Sequence, residues 1–298
     1  MSFKKEERLG DIMKEPRIEK EKISPKKAAL ERVRLLTPHK IVAALAEGKR
    51  VLDIGCGEGH EANLLARYAS QVIAIDVSPN VVGKARENYG NQEGLTFKVM
   101  NGEHLLLPDN SFGIVVSFEV IEHVFDPYQF LRGIKRVVND DELVFITTPN
   151  RRVRLLPFQK PWNPEQKRGF SKRGFEKLLK AFFPEVIISG IIGQHAFQDY
   201  YRNLWKQSPL KVYGRRLLPK ATRTILKRIR GAYGSNLIPD MQKHQPLDDA
   251  LIFLDQEWPF FTNPNDLKHC LNFFAICTLD KSLSPEILRR IYNTSSLQ

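Results

Sequence analysis

The chain is poor in the features that would set it apart from an ordinary globular protein. Its 298 residues include three cysteines, Cys56, Cys270 and Cys277, with no paired framework and no CxxC spacing. That scarcity suits a reducing compartment and speaks against a disulfide scaffold or a zinc site, so no bound metal is expected. No apolar run comes near the ~20 residues that cross a bilayer; the longest, Val186 to Gly193, is strand-sized. The opening stretch MSFKKEERLGDIMKEPRIEKEK is charged throughout and has no apolar core of a secretory leader, so a cytoplasmic location is expected. Internal repeats are lacking too. What remains, 42% apolar and 27% charged residues, is enough for a sizeable core.

Acidic residues are missing from one place in particular. Between Tyr200 and Pro239 there is no Asp or Glu, against ten basic residues: Arg202, Lys206, Lys211, Arg215, Arg216, Lys220, Arg223, Lys227, Arg228 and Arg230. The chain as a whole carries a formal charge of +12, so nearly all of its excess maps to this segment.

Residues 1–23 have few apolar positions and no clear period, as expected of a mobile charged segment. From Ser24 to Gly48 the spacing of Leu30, Val33 and Leu36 predicts helix, with a second helix starting at Thr37-Pro38. Strand and helix then alternate. RVLDIG, QVIAIDVS, LTFKVMN, SFGIVVSFE and ELVFITTPN read as strands over 50–55, 71–78, 95–101, 111–119 and 142–150. A helix over 171–182, a strand over 186–192 and a last apolar strand over 271–279 follow. The pattern predicts an α/β fold: a doubly wound, Rossmann-like sheet of seven strands. Its parts are a core over 49–192, a basic amphipathic insertion over 193–268, a closing strand within 269–281 and a tail over 282–298.

The first strand runs into GCGEG, with Gly55, Gly57 and Gly59 just before a helix. Glycines there permit a tight strand-to-helix turn and close approach of the backbone to a ligand. Asp76 ends the second strand, where a carboxylate can accept hydrogen bonds from both ribose hydroxyls of an adenosine. These features alone leave a nicotinamide dinucleotide and S-adenosylmethionine equally open.

Further stretches separate the two. VLDIGCGEG, IAIDVS, NGEHLLLPDNSFGIVVSFEVIEHV and RVVNDDELVFITTPN together resemble class I S-adenosylmethionine-dependent methyltransferases, of the branch with the ubiquinone and menaquinone biosynthesis enzymes. They cover about a third of the chain, in the family's order and spacing. A dehydrogenase is not expected to carry PDNSF followed by EVIEHV, nor to close on an antiparallel strand such as NFFAICTL. The resemblance implies that Asp53, Gly55, Cys56 and Gly57 line the methionine moiety of S-adenosyl-L-methionine, with Asp53 near its ammonium. It implies that Asp76 holds the ribose and that Val77 packs on the adenine. Asn101 and Gly102 match the pair flanking adenine, with Asn101 the partner of its amino group. Phe118 and Glu119 would close over the cofactor beside the methyl group. The chain departs from the family at Asn101, usually Asp; at Gly113, where an Asp is common and which reads as structural; and at DDEL (140–143), which lacks the usual Pro-Gly-Gly turn.

Methyl transfer from a sulfonium is an in-line displacement, served mainly by alignment of the acceptor. A base is needed where the acceptor is protonated and weakly nucleophilic, and His123 in IEHV is the candidate, against a packing role in the helix that follows. Glu119 and Glu122 flank it. His195 is a second candidate base; His60, His104 and His269 read as surface or core histidines. No Asn-Pro-Pro-Tyr type motif follows the fourth strand, so an oxygen acceptor is favoured. The region from TPNR to KAFF is similar, more loosely, to methyltransferases of surface-polysaccharide and glycan biosynthesis, and puts Trp162 and Phe170 near the acceptor, or packed beneath a loop.

The insertion falls at the carboxyl edge of the sheet, where ligands bind. Its basic and apolar residues suit an anionic membrane surface, a nucleic-acid backbone, or a solvated face packed on the core. The expectation is an O-methyltransferase of a small-molecule, glycan or lipid-linked acceptor, cytoplasmic or peripheral at the inner membrane surface. The alternatives are an RNA methyltransferase and a non-catalytic cofactor-binding scaffold.

Overall fold

The computed structural model describes residues 37–155, 165–191, 267 and 270–280. The expectations for segment 1–23, for the helix before Thr37, for the insertion apart from Leu267 and for the tail over 282–298 lie outside the described residues. So do Trp162, His195 and His269.

Among the described residues, seven strands form one sheet in the order β3-β2-β1-β4-β5-β7-β6. They are β1 (Arg50–Ile54), β2 (Gln71–Asp76), β3 (Leu95–Val99), β4 (Phe112–Phe118), β5 (Val138–Pro149), β6 (Glu185–Ile191) and β7 (Asn272–Thr278). The first five pair in parallel, and β7 runs antiparallel between β5 and β6. All seven residues of β4 and of β7 are buried, as expected of central strands covered on both faces.

The covering helices are α1 (Thr37–Leu45), α2 (His60–Ala66), α3 (Pro79–Tyr89), α4 (Pro127–Val137), α5 (Arg151–Arg154) and α6 (Lys172–Lys180). Local chemistry sets several of their starts. Ser78 accepts from the Val81 N–H ahead of Pro79, Asp126 accepts from Tyr128 and Gln129 ahead of Pro127, and Ser171 accepts from Gly174. Each helix buries one stripe. Ile41 and Val42 of α1, Leu65 of α2 and Val82 of α3 pack on one face of the sheet with Val51, Val116, Phe145 and Phe274. Phe130 and Ile134 of α4 and Phe175 and Leu179 of α6 pack on the other with Leu52, Ile54, Val115, Ile146 and Phe273. The sheet is therefore doubly wound, as the alternating pattern predicts.

Three strand ends differ from the expected ones by two residues or more. β2 stops at Asp76, two residues early, because its carboxylate accepts from the Ser78 N–H at 2.9 Å and turns the chain. β3 stops at Val99 rather than reaching Asn101. β5 begins at Val138 instead of Glu142: with no Pro-Gly-Gly turn, the chain leaves α4 directly into strand, and a register shift between Phe112 and Ile114 absorbs the offset. Gly113 has a structural reason, as expected. A Cβ there would meet the Lys49 side chain at 3.3 Å and Glu142 at 3.4 Å, crowding the ion pair these two form.

One arginine pins the loop between β3 and β4. Arg136 of α4 donates to the Leu105 and Leu107 carbonyls at 2.6 and 2.8 Å and pairs with Asp109. Charge-assisted bonds to carbonyls contribute about 1.5–3 kcal/mol each when kept from water. Arg136→Ala is expected to lower the melting temperature by several degrees in a thermal melt; an unchanged melt would show that the loop holds without it.

Candidate active site

The chain switches direction across the sheet between β1 and β4, and a crevice opens at the carboxyl ends of strands at such a point. Asp53, one residue before the end of β1, is buried there at 4% exposure. Its Oδ2 has no hydrogen-bond partner among the described residues. Burial raises its carboxyl to about 8, assisted by the nearby carboxylates of Glu61 and then Asp76. A carboxylate so placed favours a cation beside it.

The turn after β1 has Gly55, Gly57 and Gly59 all at positive φ, of 82°, 55° and 88°. The Gly55 and Cys56 N–H groups donate to the Ile75 carbonyl at 2.7 and 3.0 Å, tying the turn to β2. A Cβ on Gly55 would lie 2.3 Å from Val120, and one on Gly59 would strike the Phe97 ring at 2.7 Å. At Gly57 it would meet nothing within 4 Å. Gly55 and Gly59 thus serve packing, while the position beside Gly57 is open. Cys56 is buried, and its thiol is pushed up by burial and by Asp53 and Asp76, so it stays protonated and inert.

Asp76 is held at both oxygens, Oδ2 by the Gly57 N–H at 3.2 Å and Oδ1 by Ser78. Val77 beside it is 68% exposed, an apolar side chain offered to solvent at the rim. Asn101 uses its Oδ1 to accept from the Glu103 N–H at 2.9 Å, so the oxygen expected to receive the adenine amino group is already engaged in its own loop. Gly102 is explained by packing, since a Cβ would meet Ile54 at 2.8 Å and Phe130 at 3.0 Å. Glu103 in turn accepts from the Phe125 and Asp126 N–H groups at 2.8 and 3.0 Å, joining this loop to the one after β4.

At the end of β4, Phe118 packs on Phe274 and, edge-on, on His39 of α1. Glu119 follows at φ 60°, a left-handed conformation that costs a non-glycine residue about 1 kcal/mol. Its backbone N–H donates to Thr147, and its Oε1 accepts from Asn272 Nδ2 at 3.0 Å. Glu122 is buried and accepts from the Thr148 hydroxyl at 3.0 Å. His123 is partly exposed, with Nε2 3.9 Å from the Glu122 carboxylate. Two glutamates precede His123 in the sequence; the structure sets it beside Glu122 and commits Glu119 to β5 and β7. Among the described residues no three His, Cys, Asp or Glu side chains converge as a metal site.

The other histidines have partners elsewhere, His60 at Tyr89 and His104 at Gln129. Phe170 packs against Phe175 with ring centroids 5.5 Å apart, beneath the loop after β5. His39, Thr147, Thr148 and Asn272 were not singled out from the sequence. The signals were polar residues entering apolar elements, in TPHK, ITTP and LNFFAIC.

Comparison with known proteins agrees with this geometry. Residues 52–146 match the family model described as a methyltransferase domain. A "probable S-adenosylmethionine-dependent methyltransferase" of Mycobacterium tuberculosis is 35% identical over 159 residues, covering 53% of this chain and 57% of the relative. A ubiquinone biosynthesis O-methyltransferase of Cereibacter sphaeroides is 36% identical over 107 residues, covering 35% and 43%. The chain thus spans about half the length of the curated relatives it matches. A solved S-adenosylmethionine-dependent methyltransferase of Thermotoga maritima superposes with a TM-score of 0.53 at 15% identity, covering 85% of this chain and 91% of that one, which shows a shared fold.

The fold is the Rossmann-like one of solved methyltransferases, and residues 52–146 match a methyltransferase domain. The relatives they resemble include S-adenosylmethionine-dependent methyltransferases and ubiquinone biosynthesis O-methyltransferases.

Proposed function

We propose that this chain binds S-adenosylmethionine in the crevice over β1, β2 and β4 and transfers its methyl group to an oxygen of a small-molecule, glycan or lipid-linked acceptor. The observation that carries the cofactor assignment is the buried, unpartnered Oδ2 of Asp53 at the foot of a glycine turn whose Gly57 leaves open space. The residues fit the group: Asp53 for the ammonium, Asp76 for the ribose hydroxyls, Val77 for a face of the adenine. The cofactor supplies an electrophilic methyl on a sulfonium. The protein's own part is to bind, align and exclude water, with Phe118 and Glu119 at the methyl end. Where the acceptor is a hydroxyl, His123 is positioned to take its proton, steadied by Glu122.

Calorimetric titration with S-adenosylhomocysteine tests the assignment. Asp76→Ala should cost one to two powers of ten in affinity, as loss of a charged hydrogen-bond partner does. His123→Ala should bind like wild type and slow turnover at least about tenfold with hydroxyl acceptors, within the range of general base catalysis. Equal turnover in both proteins would remove His123 from the reaction.

No helix among the described residues is long and apolar enough to cross a membrane. The basic insertion supports peripheral contact with anionic lipid, where a lipid-linked acceptor would be met. Co-sedimentation with phosphatidylglycerol vesicles, lost when Lys227, Arg228 and Arg230 become Glu, is the result expected. Retention on RNA without retention on vesicles would favour the RNA reading instead.

A further inference from the structure

The end of β4 separates two groups of polar residues onto opposite faces of the sheet, and side-chain alternation tells which face meets the cofactor's charged end. Leu52 and Ile54 pack on the α4 side while Val51 packs on the α1 side, so Asp53 shares the α1 face. Phe118 belongs to that face as well, two residues beyond Val116, the register partner of Asp53. Phe145 and Phe274 lie on it too, and Thr147 and Asn272 continue their rows to the sheet edge. These are the residues that hold Glu119. Thr148, in the row of Val144 and Ile146, lies on the other face and there holds Glu122.

One histidine stands on the α1 face of this edge. His39 is 3% exposed, carried by the first turn of α1, with its ring 4.5 Å from that of Phe118 at an interplanar angle of 81°. The imidazole is thereby buried beside the Phe118 ring, at the edge of the sheet where Glu119 and Asn272 meet. We infer that His39 is a wall residue of the methyl-transfer chamber, which lies on the α1 face and is completed by Phe118, Glu119 and Asn272. Helix α1 thereby belongs to the acceptor side of the site and not merely to the core. The chamber so lined offers an imidazole and a carboxylate, a surface that suits an acceptor donating hydrogen bonds through its hydroxyls.

This inference rests on the cofactor assignment above, and the test separates the two. Histidine ring signals are recorded by NMR on the full chain with and without saturating S-adenosylhomocysteine, and are assigned by their loss in His39→Gln and His123→Gln. The expected result is a His39 signal that shifts by more than its linewidth and further than that of His123. Binding with a stationary His39 signal, or with the larger shift at His123, would overturn the chamber while leaving the cofactor assignment intact. Absence of binding in calorimetry would overturn both. Should His39→Gln fail to fold, His39→Phe, which keeps the edge contact with Phe118, supplies the same assignment.

Discussion

Asp53→Asn should make the free protein more stable and the liganded protein worse. In the free protein the Asp53 carboxyl is raised from 3.8 to about 8, with burial the leading cause. Between those values the folded chain holds a proton that the unfolded chain has released, so stability falls as pH rises, and the full benefit of the protonated form is present only below about pH 4. Each unit of elevation is about 1.4 kcal/mol. The isosteric amide never ionises, so its stabilising effect should grow from none near pH 4 to a maximum near pH 8. A rise in melting temperature of at least about 4 °C at pH 8 follows for a domain of this size. Ligand binding reverses the sign. An ammonium placed beside Asp53 lowers its pKa, and the proton is expelled on binding. Affinity for S-adenosylhomocysteine should therefore rise by up to about tenfold per pH unit below pH 8, and fall above it as the ligand's own amine loses its proton. Asp53→Asn should bind about a hundredfold more weakly and lose the rising limb. Calorimetry in buffers of different ionisation enthalpy counts the protons. A variant that gains stability equally at all pH values, or a wild type that binds without proton release, would remove Asp53 from the ammonium site.

That reversal explains a part of the molecule that local rules alone would mark as an error. A buried carboxylate in the middle of RVLDIG breaks the apolar run of a central strand, and its desolvation is costly without a cation. Consistency across levels fails at such places where a ligand completes the structure. Glu119 fails in the same sense, as a β4-terminal glutamate in a backbone region that favours glycine. Under the proposed function both belong to the site and not to the fold as such.

The strands were legible because each is an apolar run bounded by Gly, Pro, Ser or Asp, and the helices because Ser78-Pro79, Asp126-Pro127 and Ser171 announce their starts. The beginning of β5 was not. NDDE is polar and reads as a turn, yet Val138 already pairs with Phe112, since strand pairing at an edge of the core overrides local preference. The cofactor half of the proposed site is compact in sequence for a related reason. Asp53, the glycines and Asp76 lie within 24 residues on two adjacent strands, so a short motif contains them all. The acceptor half is assembled from distant parts: His39 precedes the sheet, Glu119 ends β4, and Asn272 starts β7, 153 residues beyond Glu119. No local spacing announces a contact of that range. It appears only once antiparallel pairing brings Asn272 opposite Pro149.

Two glycines of the same turn should respond to very different extents to the same substitution. At Gly55 an added Cβ lands 2.3 Å from Val120 and the backbone sits at φ 82°. A left-handed alanine costs about 1 kcal/mol, and overlap inside a packed region adds about 1–3 kcal/mol. Gly55→Ala should therefore cost about 2–4 kcal/mol and lower the melting temperature by about 4–16 °C, at about 2–4 °C per kcal/mol. Gly57 has a φ of 55° but nothing within 4 Å of its Cβ position, so Gly57→Ala should cost only the backbone term, about 1 kcal/mol and about 2–4 °C. Its Gly57 N–H still reaches Asp76, so the turn keeps its tie to β2. The space it fills is the space a bound nucleoside or methionine chain needs. Gly57→Val should therefore raise the dissociation constant for S-adenosylhomocysteine at least about thirtyfold, the equivalent of about 2 kcal/mol of overlap. A thermal melt and a titration on both variants decide the matter. If Gly57→Val binds as tightly as wild type, the open side of the turn does not face the ligand, and the cofactor must lie elsewhere along the edge.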